Sequence, residues 1–423
     1  MASELPFVKG NLRALIRWLI SGRIFKLYAP QAPPASPGDR KRLAISDLIP
    51  NLGDKVMMFP LLDAIRKENP DLEISYFTQG AGRLIGNHPA VDHLHVIENG
   101  IRKSRLIRIP ILTKLVVWWW RHWRKHRFHM VVVLRGGVDP FHSHHLAWLL
   151  GGNARFAYST ALEPERPEYQ YDVSPLFTAE VTEIQGVHEV SRGGEVLQLA
   201  GLLKSPVAIE EPVRSMMAIA HSPAAQNYLK ELGLPAKPYA VVALDASMKR
   251  RAWPTEAFAR VACEELLSRG WLTILVGGPE LSPRVREFCD TMGENALDLT
   301  GKTNFEQLVS VCGAAQCFLG NDSGPAHVAG ACAVPTVIVT AFARSGRRSH
   351  HASPDRSHPV GPWVSVVQPD HQLLPCTTEC VASEAHCIVQ VTTEEVRVAL
   401  RNLLAKSVLA TVPGANAALR THI

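Results

Sequence analysis

The sequence predicts an α/β protein of two domains. Three observations carry that prediction. Short β-branched runs alternate with amphipathic segments of helical length. The alternation begins twice, near Leu43 and again near Tyr239. A chain of 423 residues also exceeds what one ordinary core encloses. Hydrophobic residues at 46% and charged residues at 20% exclude a disordered chain.

Residues 11–28 (NLRALIRWLISGRIFKLY) intersperse apolar positions with Arg13, Arg17, Arg23 and Lys26, the pattern of a basic amphipathic helix. The Pro-rich stretch 29–40 reads as a linker. Regular structure begins at Leu43 with the strand RLAISDLI, the turn PNLGD and a helix over Lys55–Glu68. DLEISYFTQ (71–79), DHLHVIEN (92–99) and the β-branched FHMVVVLRG (128–136) are further strands, the last a buried parallel one. In the second half, YAVVALD (239–245) is a strand and Pro254–Arg269 a helix. WLTILVGG (271–278) is a strand, Phe305–Ala315 a helix, and CFLG a strand leading into NDSGPAHVAGACAVPTVIV. The expected division is an extension with linker at 1–40, a domain at 41–215, a connector at 216–236 and a domain at 237–423. In open α/β sheets ligands sit beyond the carboxyl ends of the strands, so facing strand ends would form a cleft.

Net charge is +6, which suits an anionic partner. No stretch holds the roughly 20 uninterrupted apolar residues of a membrane span. All eight cysteines follow residue 260 and no secretory leader with a cleavage site is legible, which points to a reducing, cytoplasmic setting with free thiols.

Four turns concentrate the chemistry. At Asn321–Pro325 a strand ends in a polar turn and a helix poor in bulky side chains starts. Its first amides lack intrahelical acceptors and, with the helix dipole, suit phosphate; the alternative is an ordinary helix capped by Asp322 or Ser323. Ala326, Gly330, Ala331 and Ala333 would let that helix lie close to a sheet. At Pro50–Ile65, Gly53 permits close backbone approach. There Asp54 is placed either to accept a proton from a bound hydroxyl or merely to cap a helix. The loop from Ser247 holds Lys249, Arg250 and Arg251, which would neutralise a diphosphate or simply be solvated. Glu280 ends a strand where a carboxylate can hold ribose hydroxyls.

Together, in this order, these motifs resemble glycosyltransferase family 9, the heptosyltransferases. The matching residues are Gly53-Asp54 with Pro60, Arg251-Ala252-Trp253-Pro254, Gly277-Gly278-Pro279-Glu280, and Asp322-Ser323-Gly324 with His327 and Pro335. The resemblance covers roughly residues 42–400 and implies a GT-B fold, two Rossmann-like domains facing across a cleft. It implies inverting, metal-independent transfer of a heptose from ADP-heptose to a lipid A–core acceptor, with no cofactor. Asp54 would be the base. Ser247, Lys249, Arg251, Asp322, Ser323, Gly324 and His327 would hold the donor, and Glu280 its ribose. The chain contains no Asp-x-Asp pair, consistent with a metal-free scheme. The family's lysine before x-Trp-Pro is Arg251 here, which still clamps phosphate but with different geometry, so Lys249 is a second candidate. Another sugar nucleotide, another glycan acceptor, or a silent nucleotide-sugar-binding protein are the alternatives.

Between Asn99 and Val138 there is no acidic residue but ten cations, among them Arg121, Arg124, Lys125 and Arg135, interleaved with Trp118, Trp119, Trp120 and Trp123. Cationic and aromatic side chains suit an anionic inner-membrane surface, where Trp119, Trp120, Arg121, Arg124 and Lys125 would dock the enzyme peripherally. The alternatives are single-stranded nucleic acid, which is not the expected partner, or a helix whose tryptophans are partly core. Cys376, Cys380 and Cys387, near His371 and His386, have C-x3-C-x6-C spacing rather than paired C-x2-C. They are expected to be free thiols in a loop, with no metal.

Overall fold

A computed structural model describes residues 41–97, 108–123, 128–135, 139, 141–162, 173–183, 185–234, 237–244, 246, 248–278 and 282–411. The amphipathic extension and linker expected at 1–40 fall outside these residues, as do Arg124, Lys125, Ser247 and Glu280. The chain separates into two compact units, Met1–Val207 and Ala208–Ile423.

The first unit contains strands β1 (Arg42–Ser46), β2 (Glu73–Thr78), β3 (His93–Val96), β4 (Met130–Val132), β5 (Ala154–Tyr158) and β6 (Ala179–Val181). All pair in parallel in the order β3-β2-β1-β4-β5-β6. Central β1 aligns Ala44 with Ser75 on one side and with Val131 on the other. Its apolar residues are buried on both faces, the signature of a covered parallel strand.

The helix expected over Lys55–Glu68 is instead two, α1 (Leu52–Val56) and α2 (Phe59–Glu68). Pro60 supplies the reason. It lacks an amide hydrogen and crowds the carbonyl four residues back, so the helix restarts with proline in its first turn. Helices α3 (Arg108–His122), α4 (Ser143–Leu150) and α5 (Glu189–Leu199) complete the unit's longer elements.

At the carboxyl end of β1, Lys55 is wholly buried. Its ammonium lies 2.6 Å from Asp47 Oδ2 and donates to Asp47 O at 2.9 Å, while Tyr76 donates its hydroxyl to the same carboxylate. Burial holds the Lys55 ammonium below its ordinary range, and attraction to Asp47 offsets part of that. The same desolvation and the Asp47 charge push the Tyr76 phenol up.

The second unit repeats the plan. Strands β7 (Tyr239–Ala243), β8 (Leu272–Leu275), β9 (Ala296–Asp298), β10 (Cys317–Asn321), β11 (Thr336–Val339) and β12 (Val364–Val367) are all parallel, in the order β12-β11-β10-β7-β8-β9. Counted from its own first strand this is the order of the first sheet, and it is the doubly wound Rossmann order. Strand order reverses between β1 and β4 in one unit and between β7 and β10 in the other. Helices α6 (Arg214–Ala220) and α7 (Pro223–Glu231) pack on α10 (Phe305–Gly313), and α8 (Thr255–Val261) packs on α9 (Ser282–Met292). The unit also contains α11 (Gly324–Ala331), between β10 and β11, and the long α12 (Thr393–Thr411) after β12.

Glu265, in the π-helical continuation of α8 (Ala262–Leu266), anchors α12. Its carboxylate lies 2.9 Å from Arg397 Nε, 2.5 Å from an Arg401 terminal nitrogen and 3.0 Å from Arg269. Burial alone would raise this carboxyl, but hydrogen bonds from Arg401, Arg397 and Arg269 outweigh it and bring it to about 2. A depressed carboxylate contributes stability that is complete above its ordinary value of 4.5 and is lost as pH falls to about 2. Urea midpoints recorded against pH should therefore fall through that acid window. In Glu265→Gln the midpoint should be lower at neutral pH and the acid slope shallower. Lys55→Ala should cost roughly 3–5 kcal/mol in the same assay, because it strands a buried carboxylate.

Candidate active site

Doubly wound sheets bind ligands beyond the carboxyl ends of their strands where strand order reverses, here at β1 and β4, and at β7 and β10. In the first unit that point is occupied by Asp54 and Arg135. Asp54 lies in the first turn of α1, just beyond β1, and Arg135 follows β4. The Asp54 side chain is 14% exposed. Its Oδ2 accepts from Asn51 Nδ2 at 2.8 Å, and its Oδ1 is paired with the Arg135 guanidinium. Arg135 Nε in turn lies 3.5 Å from the fully buried carboxylate of Glu189, at the start of α5. Asp54 makes no side-chain cap to α1, whose N-cap residue is Asn51. Its carboxylate is thus held by two side chains yet stays in reach of solvent, and each oxygen keeps acceptor capacity. Gly53 is the second residue of α1.

Arg135 and Glu189 are the partners that sequence reasoning missed. By composition Arg135 is one more cation of the basic stretch. Its place directly after a β-branched parallel strand was the available signal, because that is where such sheets present functional side chains. Glu189 carries no comparable mark. A further polar cluster follows β4: Asp139 accepts from the His144 amide at 2.8 Å and lies 3.0 Å from its Nδ1. Burial would raise the Asp139 carboxyl, but His144 and His142 hold it well below the usual carboxylate range.

In the second unit, the corresponding point gathers the cationic loop and the turn after β10. Asn321, fully buried, bridges them: its Oδ1 accepts from the Trp253 amide at 2.9 Å and its Nδ2 donates to Leu244 O at 3.1 Å. Trp253 is itself buried, donates Nε1 to Val391 O at 3.0 Å, and meets Phe258 edge to face at 4.9 Å. Arg284 donates to Leu244 O and Trp253 O from the other side. The Trp-Pro loop is therefore clamped at both strand ends, which sets the direction of the cations before it. Arg251 lines a pocket with Asp322, Thr340, Phe342, Glu379 and Cys380. Lys249 instead lies on the surface, 3.2 Å from Glu384 in an exposed pair. Of the two cations weighed for the diphosphate, the pocket contains Arg251.

Ser323 stands at the N-cap position of α11, but its side chain makes no cap hydrogen bond, and its buried Oγ has no partner among the described residues. The capping role weighed for Ser323 is thus not taken up. Gly324 opens the helix and His327, one turn on, is buried. The small residues of α11 permit a close contact. A Cβ on Gly330 would lie 2.7 Å from Val360 O, and one on Gly361, which has φ +141°, would lie 2.0 Å from Gly330 O.

Of the interfacial residues, Trp119 packs partly on the first unit's core together with Trp118 and Trp123. Trp123 meets Phe77 edge to face at 4.9 Å. Trp120 is 54% exposed, beside exposed Val116, Val117 and Arg121. No helix among the described residues is long and apolar enough to cross a membrane. Cys376, Cys380 and Cys387, expected to be free thiols in a loop, are each buried, and their sulfurs converge on His386.

The sequence profile of Glycosyltransferase family 9 (heptosyltransferase) matches residues 166–380. Lipopolysaccharide heptosyltransferase 3 of Escherichia coli is 24% identical over 297 residues, which is 67% of this chain and 79% of that protein. A glycosyl transferase family 9 structure from Veillonella parvula superposes with a TM-score of 0.62 at 21% identity, covering 88% of this chain and 99% of that one. The E. coli heptosyltransferase WaaC with ADP gives 0.61 at 18% identity, covering 86% and 99%. The doubled Rossmann topology is the fold of these enzymes, and the profile match extends over half of the chain. The chain belongs to glycosyltransferase family 9, the heptosyltransferase family, and is a glycosyltransferase.

Proposed function

We propose that this enzyme moves a heptose from ADP-heptose to a lipopolysaccharide core acceptor, with inversion and without a catalytic metal. The observation that carries the donor half is the pocket shared by Arg251 and Asp322, next to a helix start whose Ser323 hydroxyl is uncommitted. Arg251 clamps the diphosphate, and the Ser323 and Gly324 amides at the start of α11 receive its oxygens. Asp322 and His327 contact sugar or phosphate, while Ser247 and Glu280 complete the donor site. The ADP found with the E. coli relative of similar fold supports adenine as the base.

The acceptor half rests on Asp54. Its carboxylate takes the proton of the acceptor hydroxyl as that oxygen attacks the anomeric carbon from the face opposite the leaving diphosphate. The C–O bond to the diphosphate breaks, and the departing charge falls on Arg251 and the helix amides. Arg135 keeps the Asp54 carboxylate aimed, with Glu189 steadying the guanidinium. In this reading the second unit takes the donor and the first the acceptor. The absence of an Asp-x-Asp pair fits a scheme in which fixed cations and amides replace a metal.

A lipid A–core acceptor is anchored in a membrane and phosphorylated, so the enzyme works in the cytoplasm, peripherally on the inner membrane. Exposed Trp120, Val116, Val117 and Arg121 on α3 provide an interfacial surface of the required character.

Two variants separate the halves. Asp54→Asn should lower the transfer rate by roughly 10²–10⁴-fold while ADP affinity is retained, because the base acts on the acceptor. Wild-type turnover in that variant would remove Asp54 from the mechanism. Arg251→Ala should weaken ADP binding by about 1.5–3 kcal/mol, the worth of hydrogen bonds to a charged group, in calorimetric titration without divalent metal. Titrating UDP, GDP and CMP alongside tests the donor itself: tighter UDP or GDP binding would replace ADP-heptose as donor and leave the fold assignment intact.

A further inference from the structure

Cys376, Cys380, His386 and Cys387 each direct one ligand atom into a common centre, all four atoms lying within 4.8 Å of one another. The three cysteines are buried within the second unit's core. Cys376 Sγ lies 3.9 Å from Cys380 Sγ and 3.6 Å from His386 Nδ1, and Cys387 Sγ lies 3.5 Å from the same nitrogen. A disulfide needs about 2.0 Å between sulfurs, so the 3.9 Å separation is not that of a bridge.

Tetrahedral zinc makes a definite demand on these distances. With Zn–S about 2.3 Å and Zn–N about 2.0–2.1 Å, two sulfurs stand about 3.8 Å apart and a sulfur stands about 3.5 Å from a nitrogen. The observed separations meet both values. The Val381 amide donates to Cys376 Sγ at 3.4 Å, and the Ala382 and Leu373 amides are directed at Cys376 and Cys387. Such donors favour the thiolate form that ligates metal and act as the outer shell of a metal site.

We propose that Cys376, Cys380, His386 and Cys387 bind one structural zinc ion. Three thiols lose their protons on binding and neutral His386 ligates through Nδ1, which completes four-coordination by protein atoms alone. A site closed in this way has no position for water or substrate, so its role is architectural. Soft sulfur donors with one imidazole select zinc over magnesium or calcium.

The position of the site suggests what the zinc organises. Cys380 and Glu379 line the pocket that also contains Arg251 and Asp322. The short helical turn at Cys387–Gln390 packs on the cationic turn Lys249–Arg251, and Val391 receives the Trp253 indole. Few backbone hydrogen bonds of regular structure hold residues 368–386. The ion therefore ties an otherwise irregular segment into one wall of the pocket; this last step rests on the donor-site reading above.

The test is elemental analysis of the full-length protein, freed of any affinity tag and prepared without chelator. It should contain about one zinc per chain, and Cys387→Ser or His386→Ala should fall below about a tenth of that. Cys289→Ser, outside the cluster, should retain it. Should the cluster variants fail to fold, cobalt exchanged into the wild-type protein decides the matter. Thiolate-to-cobalt charge transfer with tetrahedral d–d bands supports the site, and their lack overturns it. A protein isolated without stoichiometric metal that takes up neither zinc nor cobalt overturns it too, as does iron in place of zinc. ADP titration of the same preparation keeps the two readings apart: zinc without nucleotide binding sinks the donor site alone, and nucleotide binding without zinc sinks the metal alone.

Discussion

Parallel pairing is the constraint on which everything else depends. A parallel strand cannot be followed by a tight hairpin; the chain must cross over through a helix before the next strand begins. Every strand in each sheet therefore points its carboxyl end to the same edge, and every loop leading into a crossover helix starts there. The chain satisfies this twice with the same strand order. The two order reversals then place Asp54 with Arg135 in one unit, and Arg251 with Asp322 in the other. Chemistry collects at these points because the crossover helices diverge there and leave a crevice.

Much of this was legible in the sequence. β-branched runs such as Met130–Leu134 and Tyr239–Leu244 mark buried parallel strands because such strands need apolar residues on both faces, and the strands found there follow. The turn after β10 was legible from its own composition, since glycine, proline and small residues have few uses other than a tight turn and a closely packed helix. The break between α1 and α2 was present in Pro60 but masked by the amphipathic spacing that runs through it. Short strands with mixed composition, such as β6 (Ala179–Val181) and β9 (Ala296–Asp298), carry no periodic signal long enough to stand out from loops.

What the sequence did not disclose is mostly pairing across long separations. Arg135 lies 81 residues from Asp54, and Asn321 lies 68 from Trp253 and 77 from Leu244. No local pattern encodes such partners; only the strand order brings them together. The cysteine segment shows the same limit. Its spacing departs from the usual paired motif, and convergence on His386 depends on the irregular path of the loop rather than on intervals along the chain. The tryptophans of α3 divide by helical phase: Trp118 turns inward toward Phe77 while Trp120 faces out.

The contact between Gly330 and Gly361 has a consequence for how α11 as a whole behaves. Backbone meets backbone there, with no side chain able to yield, since a single added carbon would fall 2.0 Å from Gly330 O. The helix can neither slide along its axis nor roll about it without breaking that contact. The amides at its start are consequently in position before any ligand arrives, and little entropy remains to be lost in ordering them. Sequence drift at positions 330 and 361 should be confined to glycine, whatever sugar the enzyme carries.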